Sequence, residues 1–292
     1  MEWKDFNLEG YIMDEFKVED VEKAVEAILA KLPPQEARRG RKPIAVVLGG
    51  QPGAGKSALQ DIAKQTIPEI VIVNGDEYRR YHPNFEKIHK EYGDDFPKHT
   101  AEFSGKVTEM LKSKLMEQGR DILVEGTLRT ASVPLNTCRE FKEKGYDVML
   151  GIMAVKPEIS YLSTILRYEN MKDMGMIPRK TAKDHHDLVV NNLPANLKEI
   201  CETGEFDEVV VYNRRKQCIS KNSHKQPYEI LQDALHGPWS KAELENYIEV
   251  YEETLRLKEK RKANDIEAFT SEYGSMYSMV KEKLDECEKK TR

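Results

Sequence analysis

Cysteine is scarce in this 292-residue chain. The four thiols, Cys138, Cys201, Cys218 and Cys287, show no CxxC spacing, which excludes a disulfide framework or a thiolate zinc site and leaves reduced thiols as the expectation. Long apolar runs are also missing. The longest, residues 44–48 and 148–155, fall far short of the roughly 20 residues that cross a bilayer, so no membrane contact is expected. Basic excess is absent: 46 Lys+Arg stand against 51 Asp+Glu, a net charge of −5, which argues against holding nucleic acid mainly by neutralising phosphates. The opening stretch MEWKDFNLEGYIMDEF carries acidic groups where a signal peptide has a basic region and an apolar core. A cytoplasmic protein is expected.

What is present is an alternation of strands and helices. Val18, Val21, Val25, Ile28, Leu29 and Leu32 form a helical stripe that Pro33-Pro34 ends, predicting an amphipathic N-terminal helix and then a polar, basic linker over residues 35–42. Strand-like runs at 44–48, 70–73, 122–124, 148–155 and 208–212 are separated by helix-length periodicity. The fold class is therefore α/β, a mostly parallel sheet flanked by helices. A short helix is expected from Pro227 to Leu235. Beyond it, 240–262 and 276–290 are dense in Glu and Lys and predict solvated helices. The expected organisation is 1–39 as N-terminal helix and linker, 40–239 as the α/β core, and 240–292 as a charged helical extension.

Gly50-Gln51-Pro52-Gly53-Ala54-Gly55-Lys56-Ser57 fits G-x-x-x-x-G-K-[ST] and lies between an apolar strand and a helical run. Its glycines let successive backbone N–H groups curl around phosphate at a helix N-terminus. Lys56 then reaches the β and γ phosphates of a nucleotide, and Ser57 places its hydroxyl on Mg²⁺. No NKxD tetrapeptide or DxxG switch accompanies the loop, and no Arg-rich terminal domain resembles a motor module. A small-molecule kinase is the favoured class, and such an enzyme needs a base, cations on the migrating phosphoryl group and exclusion of water.

Asp76, just beyond the second strand, is the candidate base; the alternative is an N-cap for the helix that starts there. Arg79, Arg80 and His82 add charge beside it. Glu125 ends the third strand as a Walker B acid does and can hold a Mg²⁺-bound water, or it is simply a paired carboxylate. Thr127 and Arg129 follow in the loop, where a hydroxyl and a guanidinium can bind phosphate or sugar oxygens. Arg167 and Arg179 flank the turn-like segment MKDMGMIP and suit a clamp over the γ-phosphate, with surface salt bridges as the plainer reading. Adjacent His185 and His186, followed by Asp187, diverge on a helix and read as capping or packing rather than as a metal site.

The ordered set GGQPGAGKS, NGDEYRRYHPNF, LVEGTLRT, SYLSTILRYE and PRKTAKDHHDLVVNNLP resembles the zeta toxins, the toxic half of epsilon/zeta-type toxin–antitoxin systems. The likeness spans residues 40–213, with a weaker echo in LQDALHGPWS. It implies transfer of the ATP γ-phosphate to the 3′-hydroxyl of the amino sugar of UDP-N-acetylglucosamine, with Mg²⁺, and an epsilon-type antitoxin as partner. The family's phosphate-loop lysine and hydroxyl fall on Lys56 and Ser57, its catalytic aspartate on Asp76, and its strand-end glutamate and threonine on Glu125 and Thr127. Its substrate-side glutamate is similar to Glu109, and its phosphate-clamping arginines fall on Arg167 and Arg179. The inter-arginine segment is about a residue shorter here, which leaves Lys180 as a competing cation. The residues alone leave two other readings open: a kinase for another small-molecule or nucleic-acid hydroxyl, and a nucleotide-binding regulatory protein.

Overall fold

The β-branched run Ile44-Ala45-Val46-Val47-Leu48 suits a strand buried on both faces, and in the computed structural model it forms β1, Ile44–Gly49. The structure describes residues 14–34 and 40–291; most of the linker expected at 35–42 and the opening segment to residue 13 lie outside them. Four further strands are β2 (Val71–Val73), β3 (Ile122–Glu125), β4 (Asp147–Met153) and β5 (Glu208–Tyr212), so every strand expected from sequence is found. The sheet order is β2-β3-β1-β4-β5. It is a parallel sheet flanked by helices, as the alternation demanded.

Two units divide the chain, each assembled from separated stretches. The first comprises Met1–Val47, Gln60–Gly126 and Thr137–Met149. Here β2 and β3 pair in parallel with Val71 opposite Ile122, Ile72 opposite Leu123 and Val73 opposite Val124. Both strands therefore run out at the same level, and Asn74 and Glu125 emerge side by side. The N-terminal helix Val18–Leu29 buries Val21, Ala24 and Val25 and packs on the helix Ala101–Glu117, while Val18 stays exposed. Asp121 anchors the entry to β1: its carboxylate accepts from the Ile44 N–H at 2.8 Å and from both terminal nitrogens of Arg41.

The second unit comprises Leu48–Leu59, Thr127–Asn136 and Leu150–Arg292. The helix Pro157–Asp173 is followed by a turn at Met174-Gly175 and the helix Lys183–Thr203, which matches the turn expected between Arg167 and Arg179. The helix Pro227–His236 also forms where expected.

The charged C-terminal extension departs from expectation. Its helices are Lys241–Lys260 and Ile266–Thr291, the latter starting ten residues earlier than its charge density suggested. Nor is the first of them merely solvated. Leu244, Tyr247, Val250, Tyr251, Thr254, Leu257 and Lys258 are buried at helical spacing, and this stripe packs on the helix Pro157–Asp173 and on the helix that follows. Charge sits inside that contact too. Glu169, 1% exposed, accepts from Arg261 Nε at 2.5 Å and Nη2 at 2.9 Å and pairs with Lys258 Nζ at 3.0 Å. No helix among the described residues is long and apolar enough to cross a membrane.

Candidate active site

The phosphate-loop sequence forms a tight loop between β1 and the helix Ser57–Thr66. Gly50, Gly53 and Gly55 adopt φ of 137°, 76° and 87°, a region that L side chains rarely enter. Gly53 is required sterically as well, since a Cβ there would lie 1.9 Å from the Ser160 carbonyl oxygen. The Ala54 N–H donates to the Gln51 carbonyl at 3.1 Å. Gln51 is buried and holds the loop to its own unit, its Nε2 donating to the Val155 carbonyl at 2.6 Å and to Ser160 Oγ at 3.3 Å. The Lys56 ammonium, also buried, folds back on the loop and donates to the carbonyls of Gly50 at 3.0 Å and Gln51 at 3.4 Å. Ser57 opens its helix with an exposed side chain. Curled glycine backbone with an ammonium across it and a hydroxyl at the helix start is a donor set that fits a magnesium–polyphosphate.

In the same unit, Arg167 and Arg179 are half-buried, whereas the competing cation Lys180 is exposed. Arg167 Nη2 donates to Thr181 Oγ1 at 3.0 Å, which ties the first arginine to the segment that carries the second. Thr127 is half-buried and Arg129 exposed, on either side of Leu128 with φ of 55°. Leu128 is buried against Gly49, where a Cβ would meet its Cδ1 at 2.1 Å, and Asn196 Nδ2 holds its carbonyl at 2.8 Å. His186 is 1% exposed, with Nε2 2.8 Å from Ser160 Oγ and Nδ1 3.0 Å from Asp187 Oδ1. It is a packed, networked residue, and no metal-holding cluster of His, Cys, Asp and Glu occurs among the described residues.

The other unit carries the carboxylates. The bare helix-cap reading of Asp76 is overturned, because Asn74 is the cap: its Oδ1 accepts from the Asp76 N–H at 3.1 Å. Asp76 stands in the first turn of the helix Gly75–Tyr78, its side chain 46% exposed and its Oδ1 accepting from Arg79 Nε at 3.0 Å. Arg79 is itself fixed, donating through Nη1 to the Pro97 carbonyl at 2.6 Å and to the buried Thr100 hydroxyl at 3.1 Å. The carboxylate is thus aimed by a guanidinium that cannot swing away.

Glu125 Oε2 accepts from Asn74 Nδ2 at 3.2 Å and from Gln60 Nε2 at 2.6 Å, Gln60 standing one helical turn after Ser57. Glu109 is exposed, and its Oε2 pairs with Lys112 Nζ at 2.5 Å. Lys112 is 4% exposed at its side chain and also pairs with Glu140 at 2.8 Å; burial pushes its pKa down, and these two carboxylates more than offset it. Thr108, beside Glu109, lies against Gly75, where a Cβ would come within 2.9 Å of its hydroxyl.

Sequence reasoning missed three contributors: Asn74, Gln60 and the fixed orientation of Arg79. Only Asn74 left a signal, since an Asn at the end of a strand before a short helix is a common cap. Gln60 and Thr100 act across 65 and 21 residues of sequence, and nothing local marks them.

Comparison with known proteins agrees with the motifs. The family model described as Zeta toxin matches residues 28–225. Toxin PezT of Streptococcus pneumoniae serotype 4 is 40% identical over 212 residues, covering 71% of this chain and 84% of that protein. Toxin zeta of Streptococcus pyogenes is 35% identical over 251 residues, covering 83% and 88%. A solved structure from the PezAT chromosomal toxin–antitoxin system of Streptococcus pneumoniae superposes with a TM-score of 0.76 at 35% identity, covering 84% of this chain and 99% of that one. With the glycine-cradled lysine loop and the strand-end acids in place, these matches show that the chain belongs to the zeta toxin family.

Proposed function

We propose that the protein is an ATP-dependent phosphotransferase that moves the γ-phosphoryl group of ATP to the 3′-hydroxyl of the amino sugar in UDP-N-acetylglucosamine, blocking use of that cell-wall precursor. The observation that carries the reading is the Asp76 carboxylate, solvent-accessible at a strand end and oriented by Arg79 while Asn74 takes over the capping role. An aspartate relieved of capping and fixed in direction is what a general base for a hydroxyl requires.

On this reading Asp76 accepts the sugar hydroxyl proton as the new O–P bond forms and the bond between the γ-phosphorus and the ADP oxygen breaks. Lys56 and the loop N–H groups hold the phosphates of the nucleotide, and Arg167 and Arg179 neutralise charge on the transferring group, with Arg179 preferred to the exposed Lys180. Ser57 and the Glu125 carboxylate, directly or through water, are the residues that would hold Mg²⁺. When bound, that ion supplies charge neutralisation at the phosphate oxygens. Glu109, Thr127 and Arg129 are assigned to the acceptor side. The likeness to a structure from a toxin–antitoxin system supports a cognate antitoxin as partner, and the family resemblance makes the epsilon type the one proposed.

The test is incubation of the purified protein with ATP, Mg²⁺ and UDP-N-acetylglucosamine beside Asp76→Asn, reading product masses. The expected result is a gain of one phosphate that the variant loses while still binding ATP. An unchanged sugar nucleotide with intact ATP binding would overturn the acceptor assignment and turn attention to other hydroxyl-bearing metabolites.

A further inference from the structure

The turn after β5 puts a second cation beside the phosphate loop. A Cβ built on Gly55 would lie 3.9 Å from Arg214 Nε and 4.0 Å from its Cγ, so the arginine stem lies in van der Waals contact over the last glycine before Lys56. The guanidinium is held there by one hydrogen bond, Nη1 donating to Ser163 Oγ at 2.7 Å, and Ser163 in turn donates to the Ile159 carbonyl at 2.6 Å. Its backbone is equally fixed. Asn213 Oδ1 accepts from the N–H groups of Arg215 at 3.0 Å and Gln217 at 3.1 Å, and the Asn213 N–H donates to the Gln217 carbonyl at 3.0 Å.

A guanidinium carries five N–H donors, and here one hydroxyl takes only one of them. Among the described residues no carboxylate forms an ion pair with Arg214; crowding by the protein lowers its pKa, and Glu249 opposes that only at longer range. The neighbouring Arg215 shows the contrast: it is exposed and has its own acid, Glu245 Oε2, at 3.3 Å. Its unpaired nitrogens are not buried, so an anion arriving from solvent can reach them. The adjacent anion-binding element is the phosphate loop.

We propose that Arg214 is a nucleotide-binding residue, its guanidinium lying alongside Gly55 to donate charge-assisted hydrogen bonds to the phosphate chain of a bound nucleoside di- or triphosphate. This rests on the loop's reading as a nucleotide site and is independent of which acceptor the enzyme uses. Because the turn is already ordered, little conformational entropy is lost when the anion arrives. The residue acts on binding rather than on the chemical step, so its loss raises the KM for ATP more than it lowers kcat.

The experiment is calorimetric titration of ATP and ADP into the full-length protein and into Arg214→Met, Arg214→Lys and Arg215→Met, with thermal melting as a fold control. Methionine keeps the stem that packs on Gly55 and removes the charge. The expected result is a Kd raised roughly tenfold or more for both nucleotides in Arg214→Met, a smaller rise in Arg214→Lys, and no change in Arg215→Met. Wild-type affinity in a normally melting Arg214→Met overturns the assignment, leaving Arg214 a packing residue. Should that variant fail to fold, phenylglyoxal modification of the wild type decides: protection of Arg214 by ATP and ADP but not by adenosine supports the proposal, and equal modification with and without nucleotide overturns it. Wild-type protein that binds neither nucleotide overturns the kinase reading and this inference together.

Discussion

Asn74 and Glu125 meet through a 3.2 Å hydrogen bond that the parallel register of β2 and β3 makes unavoidable, since each residue follows one member of the Val73–Val124 pair. The same asparagine caps the helix that carries Asp76. One side chain therefore couples the proposed base to the proposed metal-side acid. Asn74→Ala should lose about 1 kcal/mol from the missing cap and also lower kcat, because Glu125 loses a donor and Asp76 its anchored backbone. Asn74→Asp separates these effects. It retains the cap acceptor but sets a carboxylate against Glu125, so denaturant unfolding should show a smaller stability loss than in the alanine variant while phosphotransfer falls further. Equal activity in both variants would show that the bridge serves the fold alone.

Arg167 is held by Thr181 from the far side of the turn that separates the two clamp arginines. If the guanidinium acts on charge that develops only during transfer, Arg167→Ala should lower kcat roughly a thousandfold while leaving the Kd for ATP within a few-fold of wild type. Thr181→Val removes this one hydrogen bond and leaves the arginine in place, so a smaller fall in kcat is expected. Steady-state kinetics beside equilibrium ATP titration checks both. A fall in affinity that matches the fall in turnover would place Arg167 in ground-state binding instead.

The buried triad of Glu169, Lys258 and Arg261 fastens the helix of Arg167 to the C-terminal extension. Removing the buried acid leaves Lys258 and Arg261 with only the exposed Asp265, at 2.6 Å and 3.5 Å, so Glu169→Ala should cost about 3 kcal/mol, the low end for breaking a buried ion pair. Burial pushes the Glu169 pKa up, but hydrogen bonds and charge from Arg261 and Lys258 overcome this and hold it below the ordinary carboxylate value. Its stabilising contribution is therefore complete above the unfolded pKa and is lost as pH falls through the depressed folded value. Urea midpoints across the acid range should fall more steeply for the wild type than for Glu169→Gln. Parallel curves would remove the triad from the acid response.

The phosphate loop was legible because its chemistry is contiguous: eight residues in a fixed pattern supply glycines, ammonium and hydroxyl together. The positions of Asp76 and Glu125 at strand ends were legible because such ends are marked by the loss of β-branched residues. What stayed hidden depends on register and on long-range partners, as with Asn74 beside Glu125 and Arg79 beside Thr100. The C-terminal helix misled for a different reason. Its Leu244, Tyr247, Tyr251, Thr254 and Lys258 follow helical spacing, but Lys258 was counted as a solvated charge when its acid, Glu169, lies on another helix. Charge density predicts solvation only when the opposite charge is not buried with it.

His186 connects Asp187 to Ser160, and Ser160 touches the loop through Gln51. Burial lowers the His186 pKa against the opposing pull of Asp187, which favours the neutral ring. The carboxylate at Nδ1 then fixes the proton there, so Nε2 accepts the Ser160 hydroxyl proton and Ser160 Oγ accepts from Gln51 Nε2, while Gln51 Oε1 is buried without a partner. On protonation Nε2 becomes a donor to Oγ, and the Ser160 hydroxyl turns to the Pro157 carbonyl 2.9 Å away. The network survives, but a cation is left in a buried site. Because the folded pKa lies below the unfolded one, stability is complete above the ordinary histidine value and falls as pH drops below it, where the unfolded chain binds a proton more readily. His82, also lowered by burial, titrates in the same window and keeps its own share of the slope. His186→Gln places an amide toward Ser160 without a titrating group, so its urea midpoint should decline less between neutral pH and pH of about 5 than that of the wild type. An unchanged decline would assign the whole window to His82 and leave His186 a spacer between two helices.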